Sequence, residues 1–179
     1  MEPQVNESRI NIENIEHIKS VKNTGMIATA IVLMLIGAAA MAYGFAQQGT
    51  STFNTVSLIV GIAILILGVI LVATKSKKIV YKATGSAAKI RAYYFNRSDL
   101  EHMRTLLDHS GFSLAKPIEL SSNGNIKMDV IVSNDKHFIA AQIFEYIPFE
   151  YQAATKAHVY NDVQAGDFIA YLERCPKVN

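Results

Sequence analysis

Charge is the first thing this sequence lacks. Charged residues make up 18% of the chain, while half of it is hydrophobic. Between Lys22 and Lys75 there is no Asp, Glu, Lys, Arg or His at all. That gap excludes an ordinary soluble surface over the segment. Cysteine is nearly absent too: Cys175 stands alone, which excludes an intrachain disulfide and a thiolate metal cluster and agrees with a reducing compartment.

The signatures of common chemistries are also missing. No G-x-S-x-G elbow occurs. The stretch nearest to a phosphate loop, ATGSAAK (83–89), lacks the G-x-x-x-x-G-K-[ST] pattern and precedes a predicted strand rather than a helix. Gly85 and Ser86 therefore read as a turn. His102 and His109 are seven residues apart on one predicted helix, about 10.5 Å along its axis. That is too far for one metal ion with bonds of about 2 Å. Cys175 has no helix N-terminus ahead of it to depress its pKa. Asp129, Asp135, Asp162 and Asp167 are scattered over turns and caps, and no spacing fixes a pair of them as an acid/base couple. The expectation is a non-catalytic protein with no catalytic, metal or cofactor-binding residues.

What is present in the gap is two apolar runs, at about 25–46 and 55–74. A bilayer core about 30 Å thick needs about 20 helical residues, and each run is long enough. Soluble helices of that length carry a polar stripe; these do not. A cleaved signal peptide is the competing reading for the first run, against which stand its length and the acidic residues Glu2, Glu7, Glu13 and Glu16 ahead of it. The expected fold is a two-helix transmembrane hairpin followed by a small cytoplasmic α+β domain with an antiparallel sheet and two helices. The expected boundaries are 1–23, 24–74 and 75–179. Lys75, Lys77, Lys78 and Lys82 follow the second run, and the connecting segment 47–54 is uncharged. Basic flanks stay on the cytoplasmic side, so both termini are expected there, with these lysines near lipid headgroups. With no targeting sequence in view, a bacterial inner membrane fits best. From Arg97 onward acids outnumber bases, which argues against nucleic acid as a partner.

Within the runs, Ala30, Gly37 and Gly44 recur every seven residues, as do Gly61 and Gly68. Small residues on one helix face let backbones approach. These five are the candidate packing seam, within the hairpin or between protomers. Ile12, Ile15 and Ile18 recur at helical spacing ahead of the first run, which suits a helix lying on headgroups; a flexible tail is the alternative.

The distal part reads as strands, helix, strands, helix. KIVYKA and AKIRAYYF are strands. Ser98 and Glu101 form a capping box for a helix whose buried stripe is Leu100, Met103, Leu106 and Leu107, with Gly111 as its left-handed stop. Ser122-Asn123-Gly124-Asn125 predicts a hairpin turn. Ile126, Met128, Val130 and Val132 alternate with polar Lys127 and Asp129. Strands at 137–147 and 156–160 precede a helix at about 162–174, with Asn161 and Gln164 as its cap.

One stretch draws attention by its rings: FEYIPFEY, residues 144–151. If Phe144, Ile147 and Phe149 fill the core, it is only the end of a strand. If the rings are exposed, then Phe144, Glu145, Tyr146, Phe149, Glu150 and Tyr151 form a candidate partner surface, since aromatic residues are favoured in interface cores. The expected function is docking of a protein partner, or self-assembly, by a membrane-anchored domain. The alternative is a membrane-anchored small-molecule sensor.

Overall fold

The computed structural model describes residues 9–46, 51–121 and 123–178. The chain divides into two compact units: residues 20–78, and a discontinuous unit formed by the N-terminal segment through Lys19 together with Ile79–Asn179. The sequence-based boundaries at 23/24 and 74/75 thus miss a contribution to the domain from ahead of the first apolar run.

In the first unit, α1 (Thr24–Ala46) and α2 (Thr52–Lys75) pack against one another. Both are long and apolar enough to cross a membrane. The Ser51 side chain accepts a hydrogen bond from the Phe53 N–H, so α2 starts ahead of the expected position. Of the expected connecting segment, residues 47–50 lie outside the described residues. The buried residues of α1 are Ala30, Gly37 and Gly44, and those of α2 are Gly61 and Gly68. A methyl group at Gly37 would stand 2.7 Å from the Gly61 carbonyl oxygen and 2.8 Å from the Leu65 nitrogen. Backbone meets backbone there, so nothing flexible can yield. Between these helices the Ser57 hydroxyl donates to the Ala40 carbonyl at 2.9 Å. We expect Gly37→Leu to destabilise the hairpin in detergent by about 1–3 kcal/mol, the usual cost of overpacking, read as a lower unfolding midpoint. Gly25→Leu, where a Cβ meets nothing within 4 Å, should leave the midpoint in place. Equal midpoints for the two variants would show that the close approach does not hold the pair together.

The second unit is a sheet with helices on one face and an N-terminal segment on the other. The sheet's strands are β1 (Ile18–Lys22) and β2 (Lys77–Tyr81), each divided between the two units, and β3 (Ala87–Phe95), β4 (Leu120–Ser121), β5 (Ile126–Ser133), β6 (Phe138–Ile147), β7 (Glu150–Ala153), β8 (His158–Asn161) and β9 (Lys177–Val178). The order is β1-β2-β3-β5-β6-β7, with β8 beside β6, β4 beside β3 and β9 beside β4. The ladders β2–β3, β3–β5, β5–β6, β6–β7 and β6–β8 are antiparallel, whereas β4–β9 is parallel. The expected hairpin at 122–125 is not one. Its flanking strands do not pair with each other: Tyr94 of β3 faces Ser121 of β4 on one side and Lys127 of β5 on the other. Gly124 passes over the end of β3, where an added Cβ would stand 3.3 Å from the Phe95 carbonyl oxygen. Ser122 lies outside the described residues.

Two helices, α3 (Leu100–His109) and α4 (Asp162–Arg174), cover one face. Leu100, Met103, Leu106 and Leu107 form the buried stripe of α3. The expected caps differ in detail. A 3₁₀ turn at Arg97–Asp99 precedes α3, and neither Asn96 nor Asp99 makes a side-chain cap bond. Glu101 pairs instead with Arg104 at 2.6 Å, so no capping box forms. The left-handed residue at the end of α3 is Ser110, at φ 56°, rather than Gly111. Asn161 makes no cap bond to α4; its side-chain oxygen accepts from the Tyr81 hydroxyl at 3.4 Å. Phe112 joins the two helices to the sheet, stacked on Phe168 at 4.3 Å and edge-on to Tyr160 at 5.2 Å.

The opposite face is covered by the segment ahead of α1. Ile10, Ile15 and Ile18 are buried against Tyr81, Ile131, Phe138, Ala140 and Phe144. A headgroup-lying helix is therefore not what this segment forms. Its helical content is the single 3₁₀ turn Ile12–Asn14, and Ile18 opens a strand. The Lys82 N–H donates to the His17 carbonyl at 2.8 Å, and the Lys82 ammonium to the Glu16 carbonyl. Lys82 is thus engaged within the domain rather than left for headgroups.

Candidate functional site

The FEYIPFEY stretch is a β-hairpin. Tyr146 faces Tyr151 and Ile147 faces Glu150 across β6–β7, leaving Pro148-Phe149 as a two-residue connection. Proline fixes φ near −65° at the first of these positions. Phe149 follows at φ 79°, the positive value that a type II turn requires and that glycine or asparagine normally supplies.

The turn sorts the rings. Phe144 is fully buried, so it belongs to the core and not to a partner surface. Glu145 is half-buried and pairs with Arg97 at 2.7 Å. The Tyr151 hydroxyl donates to the Gly124 carbonyl at 2.7 Å, and its ring lies 5.0 Å from the Lys127 ammonium. Burial raises the Tyr151 phenol pKa above its ordinary value. Tyr151 therefore carries a structural load. Tyr146 packs edge-on to it at 5.2 Å yet stays exposed, as do Ile147 and Pro148. Glu150 is half-buried. Phe149 is 95% exposed. The expectation that Phe149 and Ile147 fill the core fails at both positions: Phe149 sits in the turn itself, and Ile147, the last residue of β6, is 43% exposed. What remains accessible is a compact apolar tip: Tyr146, Ile147, Pro148 and Phe149.

Beneath this hairpin lies a feature that alternation alone could not reveal. Lys127 and Asp129 do point away from α3 and α4, as their positions in β5 require. The face they point to is covered, however, and they are 7% and 4% exposed. Lys127 Nζ lies 3.4 Å from Asp129 Oδ2 and 4.8 Å from the Phe144 ring centre. Asp129 Oδ2 also accepts the Ile10 N–H at 3.1 Å. The N-terminal segment is thereby pinned to the sheet through a buried carboxylate.

The remaining titratable groups are dispersed. Among the described residues, no three His, Cys, Asp or Glu side chains are placed to hold a metal ion. Cys175 is buried, which pushes its thiol pKa up, the opposite of what a nucleophile needs. Burial pushes the His158 imidazole below its ordinary value near 6.5, despite the opposing pull of Asp108 at 3.8 Å. Asp108 is well exposed, so water screens its charge. With the folded pKa lowered, the unfolded chain binds more protons just below pH 6.5. Stability contributed by neutral His158 is then present above that pH and is lost as pH falls toward the folded pKa. His158→Gln should flatten the urea midpoint of the full chain between about pH 7 and 5 relative to wild type. An unchanged pH slope would assign the dependence to other groups.

Lys75 ends α2, and Lys77 and Lys78 stand exposed on β2. No family model, curated protein or solved structure matches this chain.

Proposed function

We propose that this chain is a non-catalytic, membrane-anchored docking protein. The pair α1–α2 inserts in a bacterial inner membrane, both termini face the cytoplasm, and the α+β domain captures a protein partner through the β6–β7 tip. The anchoring part is supported by the outward surface of the hairpin. Much of its outward surface is large and apolar: Leu35 is 66% and Ile59 62% exposed. Such a surface is costly in water and natural in lipid. The orientation is supported by Lys75, Lys77 and Lys78 directly after α2.

The docking part rests on one observation. A phenylalanine is held almost fully exposed in a backbone conformation that costs a bulky residue about 1–2 kcal/mol. The turn requires the positive φ, but it does not require a ring there, and the ring is left almost wholly in solvent. A partner with an apolar pocket would gain a rigid aromatic anchor, the residue class that dominates interface energetics.

The test replaces Phe149 with a photo-crosslinking residue in the tagged full chain, in native membranes. One protein should be labelled at defined stoichiometry, and Phe149→Ser should lose that protein on gentle solubilisation. A crosslinker at Leu114, which is 97% exposed elsewhere on the domain, is the control. Equal labelling from both positions, or none from 149, would remove the tip from the docking role. A crosslink to a second copy of the chain would make the partner itself and the function self-assembly.

A further inference from the structure

The helix-covered face of the sheet does not stay apolar along the whole of β3. Lys89, Arg91, Tyr93 and Phe95 alternate onto that face, opposite Val132, Val130, Met128 and Ile126 of β5. Phe95 and Met128 are buried beneath the helices, as the pattern demands. Lys89 and Arg91 occupy equivalent positions and are exposed. They open instead into a cleft of about 350 Å³ between the sheet and α4, which Lys136 and Lys177 also line. Its walls include Tyr93, Val132, Ile169 and Leu172.

The charge balance of this cleft is one-sided. Four cations line it against one carboxylate, Glu173, a formal excess of three. Glu173 pairs with Lys136 at 3.6 Å. Among the described residues, Lys89, Arg91 and Lys177 have no ion-pair partner. Two strand residues on one face lie about 7 Å apart, so Lys89 and Arg91 present like charges side by side. Placing them where the sheet pattern calls for core residues gains no packing. It gains a concave, cationic site with apolar walls, the form of a pocket for a small anion carrying an apolar or ring-shaped body.

We propose that this cleft binds a phosphomonoester, with Lys89, Arg91 and Lys177 on the phosphate and the Tyr93–Ile169 wall against the rest of the molecule. Arginine and lysine together suit a phosphate: the guanidinium offers a bidentate fork and the ammonium a point charge. The volume admits a body of nucleoside-monophosphate size. A lipid whose headgroup ends in a phosphomonoester, such as a phosphatidic acid, offers the same chemistry, so the source is settled by experiment. This site is separate from the β6–β7 tip and does not depend on its docking role.

The full chain in detergent would be titrated with inorganic phosphate, glycerol 3-phosphate and a nucleoside monophosphate, following the melting midpoint at constant ionic strength. The expected result is a saturable rise with at least one phosphomonoester, larger than with inorganic phosphate. Lys89→Gln/Arg91→Gln should weaken that binding by at least about tenfold, since each charge-assisted bond lost is worth that much. Lys177→Gln serves as an independent variant should the double one fail to fold, and Lys116→Gln as a control outside the cleft. Titration in nanodiscs separates the sources. Suppression of the rise by anionic but not zwitterionic lipid makes a headgroup the occupant, whereas indifference to lipid makes it a soluble ester. No saturable rise with any probe in either setting, or equal rises in wild type and cleft variants, would overturn the proposal.

Discussion

Phe149→Gly should make the protein more stable and useless for capture. At φ 79° a phenylalanine sits where its Cβ crowds the backbone, and glycine does not. Because Phe149 is 95% exposed, truncation removes no buried area. The gain is about 1 kcal/mol, or roughly 3–6 °C in melting midpoint for a domain of this size. The same change removes the only nearly fully exposed ring of the tip, so the partner crosslinked from position 149 should no longer co-elute. Stability and capture thus move in opposite directions, the pattern expected where strain is kept for function. Tyr151→Ser is not an equivalent test. It deletes the bond to the Gly124 carbonyl and the contact with the Lys127 ammonium, and should lower the midpoint whatever it does to capture. A fall in midpoint for Phe149→Gly would mean that the ring is packed. A rise with capture intact would leave the tip as strain without a docking role.

The parts of this structure legible in the sequence are those fixed by local periodicity. The seven-residue recurrence of small side chains singles out Ala30, Gly37, Gly44, Gly61 and Gly68, the residues that are buried in α1 and α2. The i, i+3, i+4 pattern of Leu100, Met103, Leu106 and Leu107 gives the inner stripe of α3. What local pattern could not give is anything decided by a distant segment. Lys127 and Asp129 read as solvent-facing because alternation identifies a second face without saying what covers it. Ser122–Asn125 has hairpin chemistry, but β3 occupies the place between β4 and β5. Ile12, Ile15 and Ile18 match a helical period, yet Ile10 and Ile15 in a largely irregular segment and Ile18 at the start of β1 are buried against the sheet instead.

The candidate surfaces were legible to different depths. The composition of FEYIPFEY marks the hairpin, but which ring is exposed turns on the backbone angle of one residue, Phe149, and no alternation rule contains it. The cationic cleft leaves a signal in the sequence. In AKIRAYYF, Lys89 and Arg91 share a face with Tyr93 and Phe95, so two charges stand in register with core residues. Only the end of α4 and the β9 strand, far along the chain, turn that irregularity into a concavity.

The largest stability effect should come from the segment that the apolar runs separate from the rest of its domain. A fragment comprising residues 79–179 keeps both helices and most of the sheet, and would pass as the soluble domain on sequence alone. It lacks Ile10, Ile15 and Ile18, each worth roughly 2 kcal/mol when buried. Without them Ile131, Phe138 and Phe144 lose their cover, and Asp129 loses the Ile10 N–H while remaining beside a buried ammonium. The sum rivals the entire stability of a typical domain, about 5–15 kcal/mol. The fragment should therefore be aggregated or lack a cooperative melt. Replacing residues 20–78 by a short Gly/Ser linker should restore a cooperative, soluble domain, because the His17–Lys82 bond already brings the two chain ends together. Within that linked form, Asp129→Ala breaks a buried pair and should cost about 3–5 kcal/mol, whereas exchanging both charges for apolar residues of similar size should cost far less. A 79–179 fragment that melts at the same temperature as the linked form would show the segment to be a passive covering. A large difference makes it a strap that the domain cannot do without, running through Asn23 directly into α1, so that the folding of the domain depends on chain on both sides of the apolar hairpin.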